Sequence, residues 1–277
     1  MAVITQMRYV NSLGEEVSFG GGPSPWRFGQ TDLLDASLDH RSVGGAITSF
    51  DAGIAKRSLR VYLVDGTEEE RDRFADVLGA DARLMRPGTL WAGGCYMRCY
   101  ASALAYSDWY QLDGMMTADV TFTAERPMWV RESSHVLAVY DEPAGGLDYP
   151  HDHAYDYAYS SGTTAVIDNA SPLPCRCDIA FPGPCDNPFV IIAGNRYQVM
   201  ASAARGELII VRGFGRRKDI VLRSASGAEQ SIFAKGVREP GANVFAEVPP
   251  GQSVASWDGS SNIGVTLYEE RWTPCQR

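Results

Sequence analysis

A chain of 277 residues, 45% hydrophobic and 21% charged, has the balance of a soluble globular protein and is long enough for two domains, each with its own core. Its net charge of −9 disfavours a nucleic-acid groove, because Lys and Arg dominate phosphate binding. No apolar run approaches the ~20 residues of a transmembrane helix, and the opening MAVITQMRYVNSLGEE lacks the basic start and apolar run of a secretory signal, so the chain is expected to stay in a cytoplasm until lysis.

In chain order, Val3 to Val10 alternates as a strand, and Val17 to Phe19 returns against it before Gly20, Gly21 and Gly22 break the pattern. Pro23 to Phe50 reads as short strands and loops. Leu59, Val61 and Leu63 alternate with Arg60 and Tyr62, a half-buried strand. Thr67 with Glu70 three residues on is a capping box, and Glu68 and Glu69 suit the positive end of a helix dipole. Phe74, Val77 and Leu78 lie on one face and Gly79 supplies a stop, so the spacing predicts an amphipathic helix from Thr67 to Leu78. Arg86 to Trp91 is a turn into a strand, Cys95 to Ala101 and Ala118 to Glu125 alternate, and the half closes on a run ending at Met128 and Trp129. Residues 1–135 are expected to be an α+β domain with one main helix.

Alternation stops between Tyr140 and Ser160, where five tyrosines interleave with acids, His151 and His153. Pro150 and the glycines oppose a helix, and the lack of aliphatic residues after Leu147 opposes a core strand. Residues 136–164 therefore read as an extended connector laid on a surface by its tyrosine rings. Beyond it, residues 165–277 carry strand candidates at 165–168, 207–211, 219–223, 230–234, 244–248, 253–257 and 264–270. A hairpin at 189–200 turns at Gly194-Asn195, and a Pro/Cys loop spans Ser171 to Pro188. Turns rich in Gly, Pro and Asn separate the strands, so this half reads as an all-β sandwich and the whole chain as mainly β.

The six cysteines form no C-x-x-C pair, and without a signal peptide free thiols are the default. Cys175, Cys177 and Cys185 with His151 and His153 could be written as a zinc site, but the spacing matches no standard module. His151, Asp152, His153 and Asp156 are the one cluster from which metal-dependent hydrolysis could be built, and a solvated connector explains them better. No G-x-S-x-G, H-E-x-x-H or P-loop pattern occurs, and no cofactor is expected. The short basic cluster of Arg212, Arg216, Arg217 and Lys218 reads as a solvated hairpin tip.

The order of the motifs resembles the distal tail protein family of long-tailed phages. The motifs are Arg86-Pro87-Gly88-Thr89-Leu90-Trp91 and Tyr96, Glu125 to Trp129, Asp148-Tyr149-Pro150, Asn187-Pro188-Phe189, Gly206 to Ile210, Pro249 to Ser253, and Leu267 to Pro274. The resemblance implies an N-terminal ring-forming domain and a C-terminal galectin-like sandwich. It also implies a hexameric ring at the virion tail tip, assembled in the host cytoplasm, with no enzymatic activity. The implied partners are the major tail tube protein, a tail-tip protein such as a tail-associated lysin or fibre, and the tape measure protein. Interface candidates are Phe74, Leu90, Trp91 and Tyr96. The rival reading is a carbohydrate-binding sandwich for host-surface adhesion, which would stack sugars on Trp257 and Trp272.

Overall fold

The structure, a computed structural model, describes residues 4, 6–33, 35–51, 53–110, 115–139, 163–215 and 217–274. The chain divides into two compact units, Met1–Arg131 with Glu270–Arg277, and Glu132–Glu269. The fold is mainly β with one α-helix among the described residues, as the alternating patterns predict.

The first unit runs β1 (Gln6–Val10), β2 (Glu16–Gly20), β3 (Trp26–Thr31), β4 (Asp39–Val43), β5 (Ala46–Asp51) and β6 (Ala55–Leu63), then α1 (Glu68–Leu84). It continues through β7 (Gly88–Ala92), β8 (Cys95–Tyr110), β9 (Met115–Ala124) and the start of β10 (Trp129–Leu137). One set of strands pairs in the order β10-β8-β7-β1-β2 and another in the order β3-β6-β9-β8, so the long β8 belongs to both. Alternation drives this: β9 buries every second residue, Met116, Ala118, Val120, Phe122 and Ala124. The helix closes the core by stacking Phe74 on Trp26, with ring centroids 3.9 Å apart, and meeting Phe19 edge-on at 6.0 Å.

The capping box forms as predicted: Glu70 N–H donates to Thr67 Oγ1 at 3.2 Å, and Thr67 N–H to Glu70 Oε2 at 2.7 Å. The predicted stop does not hold. The helix passes through Gly79 and ends at Leu84, with Met85 as a left-handed cap at φ 51°. A glycine inside a helix costs only about 1 kcal/mol against alanine, and the next turn is anchored by the buried Asp81. The run expected to end at Trp129 instead begins a strand there. Cys95 is also a correction: it is disulfide-bonded, whereas Cys99, Cys175, Cys177 and Cys185 are free. Sequence spacing does not reveal whether two Cα atoms come within bridging distance.

The second unit comprises the rest of β10, β11 (Thr164–Asn169), β12 (Arg176–Pro182), β13 (Cys185–Asp186), β14 (Phe189–Ile192), β15 (Asn195–Gln198) and β16 (Ser202–Ala203). It continues with β17 (Leu208–Arg212), β18 (Asp219–Arg223), β19 (Glu229–Ser231), β20 (Arg238–Glu239), β21 (Ala242–Asn243), β22 (Gly251–Trp257) and β23 (Ile263–Arg271). Strands in the order β19-β18-β17-β12-β23-β10 and a second sheet in the order β11-β22-β14-β15 share one core, built from Ile179, Phe181, Ile209 and Val265 on one side and Ile167, Val190, Ile192 and Ala255 on the other.

The Pro/Cys loop is corrected here, because it contains β12, whose Cys177, Ile179 and Phe181 point into the core. The hairpin turn lies one residue earlier than expected, at Ala193 (φ 51°) and Gly194 (φ 81°). Residues 244–248 form no strand, although Val244 and Val248 are buried, and residues 233–235 are a 3₁₀ turn.

Candidate functional site

The interface candidates separate by side of the sheet. The pairings Arg8↔Trp91 and Trp91↔Tyr96 put these three residues in one row across β1, β7 and β8. Trp91 lies 5.0 Å from the Tyr96 ring and 4.9 Å from the Arg8 guanidinium, which in turn pairs with Glu16 at 3.2 Å. Leu90, one residue away, points to the opposite side, where it is fully buried against the core with Phe74. Phe74 and Leu90 are therefore core residues and have no surface to offer a partner. Tyr96 is buried too, which leaves Trp91 as the partly exposed member of the four.

Sequence reading missed a more exposed element. β4 and β5 form a two-stranded sheet of their own around a Gly44-Gly45 turn whose φ angles are 61° and 83°. Every residue of β4 is exposed, as are Ile47 and Phe50 on β5. The signal available was Val-Gly-Gly-Ala between short alternating runs.

Trp257, in the second unit, is only 5% exposed, and Trp272, in the C-terminal segment that belongs to the first unit, is 53% exposed. A buried indole has no face for a sugar, so Trp257 is corrected to a core residue. Two members of the basic cluster, Arg212 and Lys218, have separate partners. Arg212 and Arg223 both grip Glu229, at 2.7 Å each, and these hydrogen bonds, that of Arg212 first, hold the Glu229 carboxyl below its usual range. Lys218 sits over the Phe245 ring at 5.5 Å, and Arg216 lies outside the described residues.

Asp178, on β12, is the polar hub of this unit. Its Oδ1 accepts the N–H groups of Gly213 (2.8 Å) and Phe214 (3.0 Å), and its Oδ2 accepts the Tyr268 hydroxyl at 3.0 Å. Phe214 stacks on Tyr268 at 4.2 Å, which locks the far end of β17 onto β23. Burial pushes the Asp178 carboxyl up, against the opposing pull of those hydrogen bonds.

His151 and His153, with Asp152 and Asp156, lie outside the described residues. Burial raises the thiols of Cys175 and Cys185 and pushes Cys177 up to about 12, away from the thiolate a metal or a reaction would use. Among the described residues no group of three or more His, Cys, Asp or Glu could hold a metal ion, and no helix is long and apolar enough to cross a membrane.

No protein-family model matches the chain. No curated protein matches it either. Solved structures do. A chain of the phage P2 baseplate in its activated conformation with Ca is 13% identical, with a TM-score of 0.58 over 95% of this chain and 97% of that one. The same baseplate with Sr gives 12% identity and a TM-score of 0.59 over the same shares, 95% and 97%. The SPP1 Dit protein, described as a paradigm of the hub adsorption apparatus in phages infecting Gram-positive hosts, is 10% identical with a TM-score of 0.47, over 96% and 98%. Over 95% of its length, then, this chain has the fold of a phage baseplate chain.

Proposed function

We propose that the chain is a structural hub subunit of a phage or prophage tail tip. Copies form a ring, six by family resemblance, that joins the tail tube to the tail-tip or receptor-binding apparatus. The observation that carries this is the likeness to the P2 baseplate chain, which extends over both units and leaves almost none of either chain unmatched. In this reading residues 1–135 make the ring, 136–164 tether, and 165–277 present a galectin-like sandwich outward. The major tail tube protein docks on one side of the ring and a lysin or fibre protein on the other, with the tape measure protein as a further neighbour.

The work of such a subunit is done by interfaces, which need complementary patches and no catalytic centre. The pair of Arg8 and Trp91, with Glu16 held to Arg8, and the exposed β4–β5 hairpin suit that role. Negative-stain microscopy of the purified chain is the test: closed rings support the reading, and uniform single particles at all concentrations oppose it. Labelling of virion tails by an antibody to the chain checks the location.

A further inference from the structure

The first unit carries two exposed apolar patches of different charge. One is the β4–β5 hairpin. Its register sets His40 opposite Phe50 and Ser42 opposite Ile47, with Thr48 as an extra residue. That bulge brings Ile47 and Phe50 to the same side of the arm. They are 56% and 62% exposed. An isolated two-stranded hairpin is marginal in water, so an arm with this apolar side gains from being covered.

The other patch is the end of α1, where Leu84 and Met85 follow Asp81 by one turn and are 45% and 78% exposed. Leu13 is drawn to the same place, because the neighbouring Ser12 N–H donates to Asp81 Oδ1 at 2.7 Å, and it is 62% exposed. The exposed cations Arg83 and Arg86 flank this patch, with the exposed Glu15 two residues from Leu13; the exposed acid Asp35 precedes the arm, and the arm's own Asp39 and Arg41 alternate onto the side away from Ile47 and Phe50.

A ring built from one repeated head-to-tail contact needs two different, mutually complementary patches on every copy. An apolar arm with an acid at its base and an apolar socket flanked by arginines meet that need. We propose that the arm of one copy seats Ile47 and Phe50 on the Leu13, Leu84 and Met85 socket of the next copy, with Asp35 turned toward Arg83 and Arg86. This inference rests on the ring reading above and identifies its contact.

Two variants test it, I47E/F50E in the arm and L84E/M85E in the socket. All four side chains are exposed, so both variants should keep the wild-type melting temperature. By size-exclusion chromatography with light scattering, the wild type should run as a ring and each variant at the single-chain mass. An equimolar mixture of the two variants should double that mass, because each retains the half that the other has lost. Rings from both variants would overturn the proposal and leave the ring reading standing, as would a mixture that stays at single-chain mass. Variants that keep the ring but no longer bind the tail tube protein would make that protein the occupant, which also overturns it. A wild type that never exceeds single-chain mass would overturn the ring reading itself.

Discussion

The Tyr9 hydroxyl donates to Asp81 Oδ2 at 2.6 Å, although 72 residues separate the two in sequence. Both are fully buried, and Asp81 Oδ1 accepts the Ser12 N–H, so a single carboxylate ties α1 to β1 and to the turn after it. Burial first, and the bond to Asp81 second, raise the Tyr9 phenol. Gly88 closes the cage: a Cβ there would lie 2.3 Å from Asp81 Oδ2 and 2.5 Å from the Tyr9 hydroxyl.

Tyr9→Phe leaves a buried carboxylate oxygen without its donor and should cost about 1.5–3 kcal/mol, read from urea unfolding followed by circular dichroism. Gly88→Ala should cost more than Tyr9→Phe, since the methyl would push both the buried Asp81 carboxylate and the Tyr9 ring out of their places. Wild-type stability in both variants would mean that this bond does not hold the helix.

Leu90 and Trp91 should behave as opposites. Leu90→Ala opens a cavity in the first core and should lose about 2–5 kcal/mol, and Phe74→Ala, which removes the partner of Trp26, about 3–5 kcal/mol. Trp91→Ala gives up mainly a surface stack with Arg8, about 0.5–1 kcal/mol. Denaturant midpoints of the three variants check the order; a Trp91 loss equal to that of Leu90 would place Trp91 in the core.

Asp178 supports a pH prediction. Its carboxyl is raised in the folded state, so keeping it ionised costs stability above its folded titration range, and this cost fades as pH falls toward the unfolded value. Asp178→Asn keeps an acceptor for Gly213 and Phe214 without the buried charge. The variant should therefore gain on the wild type near neutral pH, with the gain shrinking in acid. Asp178→Ala strips three donors of their acceptor and should cost about 1–3 kcal/mol at neutral pH. Melting temperatures of the three proteins at pH 7 and in mild acid decide it, and an Asn variant whose gain grows in acid would contradict the assignment.

What could be read from sequence was what local chemistry decides. Thr67 and Glu70 lie three residues apart, so their capping box announced where α1 begins. Its end was hidden, because Gly79 speaks locally while Asp81 is held by Tyr9 and Ser12 from the other end of the unit. The strand at 176–182 hid between Pro174 and Pro184, although Cys177, Ile179 and Phe181 keep a period of two. Side was also legible in principle: Leu90 and Trp91 are adjacent in a strand and had to face apart. Which of them faced solvent depended on the helix packing over one face. The exposure of Ile47 and Phe50 was illegible for the same reason, since apolar residues in a short strand normally signal a core.

Ring closure is read most simply from the mass of the purified chain at sedimentation equilibrium. The proposed ring of six gives a species of about 181 kDa, six times the chain mass of 30.2 kDa, persisting on dilution. A single species at 30.2 kDa across the whole concentration range would contradict it.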